Sequence, residues 1–297
     1  MPKLGDIRIG ISGWRYKPWR GVFYPKGLAQ KRELAFAAGH FRSIEINGTF
    51  YSLQIPSSFE RWAAETPDDF VFAAKGPRYI THMLKLKNVD AALANFFASG
   101  IFRLGKKLGP ILWQLPPNFA FDPARLEAFF KLLPRDTEQA ATIARRHEKW
   151  LTKKRTDTVP RAHTKLRHAL EIRHPSFLVK AFVDLLRAHN VSFVCADTVE
   201  WPRRMDITSD FIYARLHGSE VLYASGYSDN DLDVWARRVI AWAAGSQPTD
   251  DESEWITDRG PGKRAARDVY VYFDNDAKVR APIDAKNLIV RVAKLSQ

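Results

Sequence analysis

The strongest constraint on this chain is a rhythm. Eight short runs rich in β-branched and aromatic residues, at 7–14, 43–51, 70–75, 110–116, 167–174, 192–197, 211–218 and 269–274, alternate with helical patterns. Helices are expected at 31–41, from Ser57 onward, at 89–107, 122–133, 177–189, 231–244 and 282–295, with a weakly marked one at 206–210. Ser57 and Glu60 read as a capping box, and Asp122-Pro123 as an N-cap followed by the first helical residue. Strict alternation of strand and helix calls for a parallel sheet. Eight strands over 297 residues call for an α/β fold of the (β/α)₈ TIM-barrel kind, one domain spanning 1–297. A doubly wound sheet is the competitor, but no G-x-G-x-x-G follows the first strand, and polar strand ends occur all along the chain.

Two stretches interrupt the rhythm. Residues 136–166 are polar and basic, carrying Arg145, Arg146, Lys149, Lys153, Lys154, Arg155, Arg161 and Lys165. Arg145, Lys149 and Lys153 share one face of a predicted helix, so a solvated helical hairpin is expected. Following the fourth strand's helix, it should leave from the side opposite the strands' C-terminal mouth. The second stretch, 245–267, mixes acids and bases and reads as loop.

Composition narrows the partners. A net charge of +13 favours an anionic partner, either a small molecule or nucleic acid, without choosing between them. No apolar run is long enough for a membrane helix, and the N-terminus has no signal-peptide pattern. The single cysteine, Cys195, excludes an intrachain disulfide and fits a reducing, cytoplasmic setting. With no base beside it, Cys195 reads as a core residue rather than a nucleophile.

The chemistry gathers at the strand ends. Residues i and i+2 share a strand face, so Glu45 with Asn47, Glu171 with Arg173, and Arg215 with His217 point together. Lys75, Gln114 and Asp197 end the third, fourth and sixth strands, and His174 lies just beyond the fifth. Asp274, Asn275 and Asp276 end the eighth, and parity leaves open which of them face inward. In a barrel all these ends meet at one mouth. Some could be ion pairs that only hold the fold; burying so many charges without further use is costly.

The blocks GISGWRYKPWRGVFYP, SIEINGTFY, FVFAAKGPRYITH, GPILWQLPPNF, HALEIRHPSF, ARLHG and VYVYFDND resemble the domain-of-unknown-function family 72, also called YecE-like, over nearly the whole chain. The resemblance implies a TIM barrel and no settled activity. Its recurring polar positions fall on Glu45, Lys75, Gln114, Glu171, Arg173, His174, Asp197, Arg215, His217 and Asn275. Where the family often reads Phe-Asn-Asn-Asp, Asp274 replaces the first Asn and adds a carboxylate.

Three chemistries fit this set. In the first, Glu171, Asp197, His217 and Asp274 hold a divalent metal (Mn, Mg or Zn) for a hydrolase or isomerase, a pattern similar to xylose-isomerase-like and endonuclease IV-like barrels. A trinuclear zinc site is not expected, because His174, His217 and His82 are too few. In the second, Lys75, Arg173 and Arg215 clamp a phosphate or carboxylate while Glu45 or Glu171 acts as base and His174 or His217 as acid. Lys75 could itself be a base or Schiff-base nucleophile, although pairing with Glu45 is the plainer expectation. In the third, the basic surface holds nucleic acid, with Trp14, Tyr16, Trp19 and Tyr51 stacking bases. Trp14, Asn47, Tyr51, Gln114 and Asn275 are the candidate substrate-binding residues. The expected function is therefore that of an enzyme acting at the mouth on a phosphorylated, sugar-like or nucleic-acid substrate. A nucleic-acid-binding protein or a metal-free small-molecule-binding barrel is the alternative.

Overall fold

A computed structural model describes residues 3–257, 260 and 264–297. Its strands β1 (Ile7–Ser12), β2 (Ser43–Ile46), β3 (Val71–Lys75), β4 (Leu108–Gln114), β5 (His168–Glu171), β6 (Ser192–Asp197), β7 (Phe211–Leu216) and β8 (Asp268–Phe273) run parallel and close into a barrel. Closure comes from β1 lying beside β8, in register from Ile7↔Val269 to Ile11↔Phe273. The TIM barrel expected from the sequence is therefore the fold.

Parallel barrel strands are covered on both faces, so alternate residues enter two different cores. Outward residues such as Ile9, Ile44, Phe72, Ile111, Leu170 and Ile212 pack under the helices. Inward residues Ala73, Leu112, Ala169, Val194, Tyr213 and Tyr272 form the smaller core inside the barrel. There the Ser43 hydroxyl lies 2.6 Å from that of Tyr272. One step further along six strands, the inward position is polar: Glu45, Lys75, Gln114, Glu171, Arg215 and Asp274. The barrel is thus an apolar plug capped by a charged layer at its C-terminal end.

The helices depart from expectation where local chemistry intervenes. The pattern at 89–107 splits into a helix, Asp90–Ala98, and a tighter 3-10 segment at Ile101–Lys107. The break is Gly100, at φ +104, where an added Cβ would lie 2.4 Å from the Pro56 Cα. The Ser57–Glu60 capping box does not form: the helix Pro56–Ala64 begins with proline and has no side-chain cap. Glu60 instead pairs with Arg103 at 3.0 Å. Residues 206–210 form no helix; Asp206 accepts bonds from the Ile256 and Thr257 amides. Asp122 does cap its helix, Pro123–Leu132, accepting from the Arg125 amide. The second strand stops at Ile46, and Gly48–Tyr51 turn into one helical turn over the mouth.

The basic insertion is not a helical hairpin. It holds one α-helix, Thr137–Ala144, followed by irregular chain and a 3-10 turn at Lys153–Arg155. Arg145 caps that helix, so Arg145, Lys149 and Lys153 share no helical face. Nor does the insertion stay away from the mouth. It folds back along the helix Asp90–Ala98, where Asn95 donates to Glu148 Oε2 at 2.6 Å and accepts from the Glu148 amide at 3.0 Å. The Asp157 amide then bonds the Ala98 carbonyl at 2.8 Å. The second insertion is loop in its described part, and its residues 258, 259 and 261–263 lie outside the described residues. Among the described residues no helix is long and apolar enough to cross a membrane.

Candidate functional site

The charged layer is organised around Arg215. Its side chain is fully buried and its guanidinium meets three carboxylates. Nη1 donates to Glu171 Oε2 at 2.7 Å; Nη2 donates to Asp274 Oδ2 at 2.7 Å and Glu45 Oε1 at 3.0 Å. Glu45 also accepts from Ser12 and Tyr213, both at 2.5 Å. Arg173 bonds the outer oxygen of Glu171, with Nη2 to Oε1 at 3.1 Å, and stacks 4.1 Å over Trp201. Burial alone would raise the Glu171 carboxyl, but Arg215 and Arg173 outweigh it and hold the pKa at about 2. Asp274 is likewise held well below its ordinary value, burial being overcome by Arg215 and His217. Burial opposes the charge on Arg215 too, and Asp274, Glu45 and Glu171 more than restore it.

Above this floor opens a cavity of about 850 Å³. Trp14, Tyr16, Phe50 and Trp62 provide aromatic wall; Asn47, Gln114 and Gln54 provide amides. The loop from β1 enters over the rim at Gly13, whose φ of +84 and close approach to Tyr16 favour glycine there. Lys75 reaches the cavity from β3. The expected Lys75–Glu45 pair does not form, because Glu45 is already held by Ser12, Tyr213 and Arg215. The Lys75 ammonium has no carboxylate within ion-pair distance among the described residues and lies 4.4 Å over the Phe50 ring. Burial, then the charge of Arg215, lowers its pKa from the ordinary lysine value. His82, also on the wall, is lowered to about 4 by burial and by Arg173, Arg78 and Lys75.

On the far wall, period-two spacing turns Asp274 and Asp276 into the cavity. Asp276 is pushed up to about 7, first by burial and then by the neighbouring Asp274 charge. Asn275 faces away, donating to the Ser225 carbonyl and to Asp284, and does not line the cavity.

Two more sequence candidates move out of the site. His174 caps the turn at Pro175–Phe177, its Nδ1 accepting from the Ser176 amide, and does not line the cavity. Asp197 falls on the opposite strand face from inward Val194 and Ala196, and pairs with Arg203 at 2.9 Å. The metal quartet Glu171, Asp197, His217 and Asp274 is therefore not assembled. Asp197 points away, and the Arg215 guanidinium lies between Glu171 and Asp274 where a cation would sit. No group of three potential ligands comes together among the described residues. His217 is buried, with Nδ1 3.2 Å from Asp274 Oδ2. Glu45, Glu171, Arg215 and His217 thus form the floor, while Lys75, Arg173, Asp274, Trp14, Asn47, Tyr51 and Gln114 line the cavity. Sequence reasoning named Asp276 among the strand ends but left its direction open, and it missed Arg78, Gln54 and Tyr223 as lining residues. Cys195 is buried, and burial pushes its thiol up to about 12, as suits a core residue.

A closed parallel barrel with a charged cup at the C-terminal ends of its strands defines a TIM-barrel protein, and its candidate site is at the mouth. More particularly, the chain belongs to the family described as "Protein of unknown function DUF72", which matches residues 8–297. It is 28% identical over 174 residues to the UPF0759 protein YecE of Escherichia coli K12, covering 59% of this chain and 51% of that protein. It is 30% identical over 118 residues to the UPF0759 protein YunF of Bacillus subtilis, covering 38% of this chain and 41% of that protein. The matches thus span about half the length of these curated relatives. The crystal structure of a DUF72 family protein from Thermotoga maritima superposes with a TM-score of 0.70 at 24% identity, covering 98% of this chain and all of that one. A second, from Enterococcus faecalis, gives 0.67 at 15% identity, with 97% and 95% covered. At these identities the two structures speak for the fold.

Proposed function

We propose that this protein is a TIM-barrel enzyme that binds an anionic, ring-bearing substrate in its mouth and moves a proton there without a metal. The observation that carries the reading is the Lys75 ammonium, without a carboxylate in ion-pair distance among the described residues, in a cavity whose other wall carries the Asp276 carboxyl, pushed up to about 7 by burial and the Asp274 charge. Lys75, with Arg78 at the rim, supplies the attraction for a phosphate or carboxylate. Trp14, Tyr16 and Phe50 offer faces for a sugar or base ring. Near neutral pH Asp276 is divided between its two forms, so it can give or take a proton at little cost. Arg215, Glu45 and Glu171 do not touch the substrate in this reading; they fix the inward side chains.

Thermal unfolding with inorganic phosphate, glucose 6-phosphate and glucose tests this. The two anions are expected to raise the melting temperature with concentration, by about 2.7 kcal/mol of stability at a hundredfold excess over Kd. Glucose should not, and Lys75→Met should abolish the shift. Equal shifts with glucose and its phosphate, or an unchanged response in Lys75→Met, would overturn the proposal.

A further inference from the structure

Beside the mouth runs a second groove of about 700 Å³, whose walls include Tyr51, Tyr79, Met83 and Trp150. Phe50, Tyr51 and Arg78 line both this groove and the mouth cavity, so the two lie side by side. Among the described residues, the three exposed aromatic rings are Tyr51, Tyr79 and Trp150, at 69%, 50% and 56% exposure, and all three face this one groove. Exposed rings gathered along one groove, rather than scattered singly, mark a binding surface.

Trp150 is also held in place. Its Nε1 donates to Glu148 Oε2 at 3.1 Å, and the same carboxylate is tied to Asn95 on the helix Asp90–Ala98. Glu148 is the one acid on the groove wall, and both of these bonds engage it. Arg78 is on the groove wall, and the insertion carries Arg145, Arg146, Lys149, Lys153, Lys154 and Arg155 flanking Trp150 in sequence; all are exposed, and none has an ion-pair partner among the described residues. Stacking rings bordered by unneutralised cations match a polymer that alternates flat bases with phosphates. The bases must be unpaired to lie on the rings.

We propose that this groove binds single-stranded nucleic acid, with bases stacked on Tyr51, Tyr79 and Trp150, phosphates held by the insertion's cations, and one end directed into the mouth. Only the last element rests on the proposed function of the mouth. The test is fluorescence anisotropy of a labelled thymidine strand of about twelve nucleotides, with a duplex of equal length and polyglutamate as competitors. Single strand is expected to bind more tightly than either, with affinity falling steeply as salt rises. Trp150→Ala and Tyr79→Ala should each weaken binding by about fivefold or more, with the melting temperature unchanged because both rings are exposed. The inference is overturned if neither ring substitution changes affinity, if duplex binds as tightly, or if polyglutamate competes equally, which would indicate an acidic-peptide groove. Failure of the mouth is read separately. Loss of the strand with the rings, but no phosphate-induced stabilisation in the unsubstituted protein, sinks the mouth reading and leaves the groove. The converse pattern sinks the groove alone.

Discussion

Replacing Arg215 by methionine removes the charge that three buried carboxylates share. Methionine keeps the arginine stem but ends where Nε lies, so the guanidinium's space is left beneath the cavity and the main loss should be electrostatic. Glu171 shows the scale: moving its carboxyl from the ordinary 4.5 to about 2 corresponds to ~3 kcal/mol of preference for the charged form. Breaking one buried ion pair generally costs about 3–5 kcal/mol, and here Glu45, Glu171 and Asp274 all lose a partner. A loss of at least ~3 kcal/mol at pH 7 follows, or a melting temperature lower by roughly 6 °C or more. The sign with pH is fixed by the depressed pKa of Glu171. Its stabilisation in the unsubstituted protein is full above pH 4.5 and fades as pH falls toward about 2. In the variant the orphaned carboxylates rise instead and take up protons on folding, so its deficit should be widest near neutrality and narrow on acidification. Urea unfolding followed by tryptophan fluorescence at pH 7 and pH 4.5 reads both quantities. A variant within a degree of the original, or a deficit equally large at both pH values, would refute the reasoning.

Asp276→Asn should do the reverse. A carboxyl raised to about 7 in the fold destabilises as pH climbs from 3.8 through 7, so the substitution should stabilise by about 1–3 kcal/mol at pH 8 and by nothing near pH 3, measured by paired denaturation curves. If the mouth is catalytic, its pH profile should also lose the limb near 7. Gly76→Ala would place a Cβ 2.3 Å from the Trp113 ring, next to Lys75, and overpacking of this kind costs about 1–3 kcal/mol. Melting should show the loss; an unchanged midpoint would mean that Trp113 gives way freely.

The barrel was legible because its signal is repeated. Eight strands, each buried on both faces, write eight apolar runs, and one misread end does not disturb the count. The site was legible in part. Lys75, Glu171, Arg215 and Asp274 sit at the same inward level because barrel register and period-two spacing agree on six strands. Asp197 failed because β6 presents Val194 and Ala196 inward, and a strand of two apolar faces does not say which face is which. His174 failed because a histidine after a strand can equally cap the next turn, as it does with Ser176. The Lys75–Glu45 pair failed because Ser12 and Tyr213, which occupy Glu45, lie far from it in sequence. The course of the insertion was hidden for a similar reason: the contact that sets it, Asn95 with Glu148, joins residues 53 apart through a single amide.

The placement of Trp150 also gives the protein a built-in reporter. Of nine tryptophans it is the one in the exposed class, the others being buried or partly so. A collisional quencher such as iodide or acrylamide will therefore act chiefly on this one indole, at the edge of the groove. Loss of quenching on adding a compound reads occupancy next to the mouth without any label, which makes an unbiased ligand screen possible before a reaction is known.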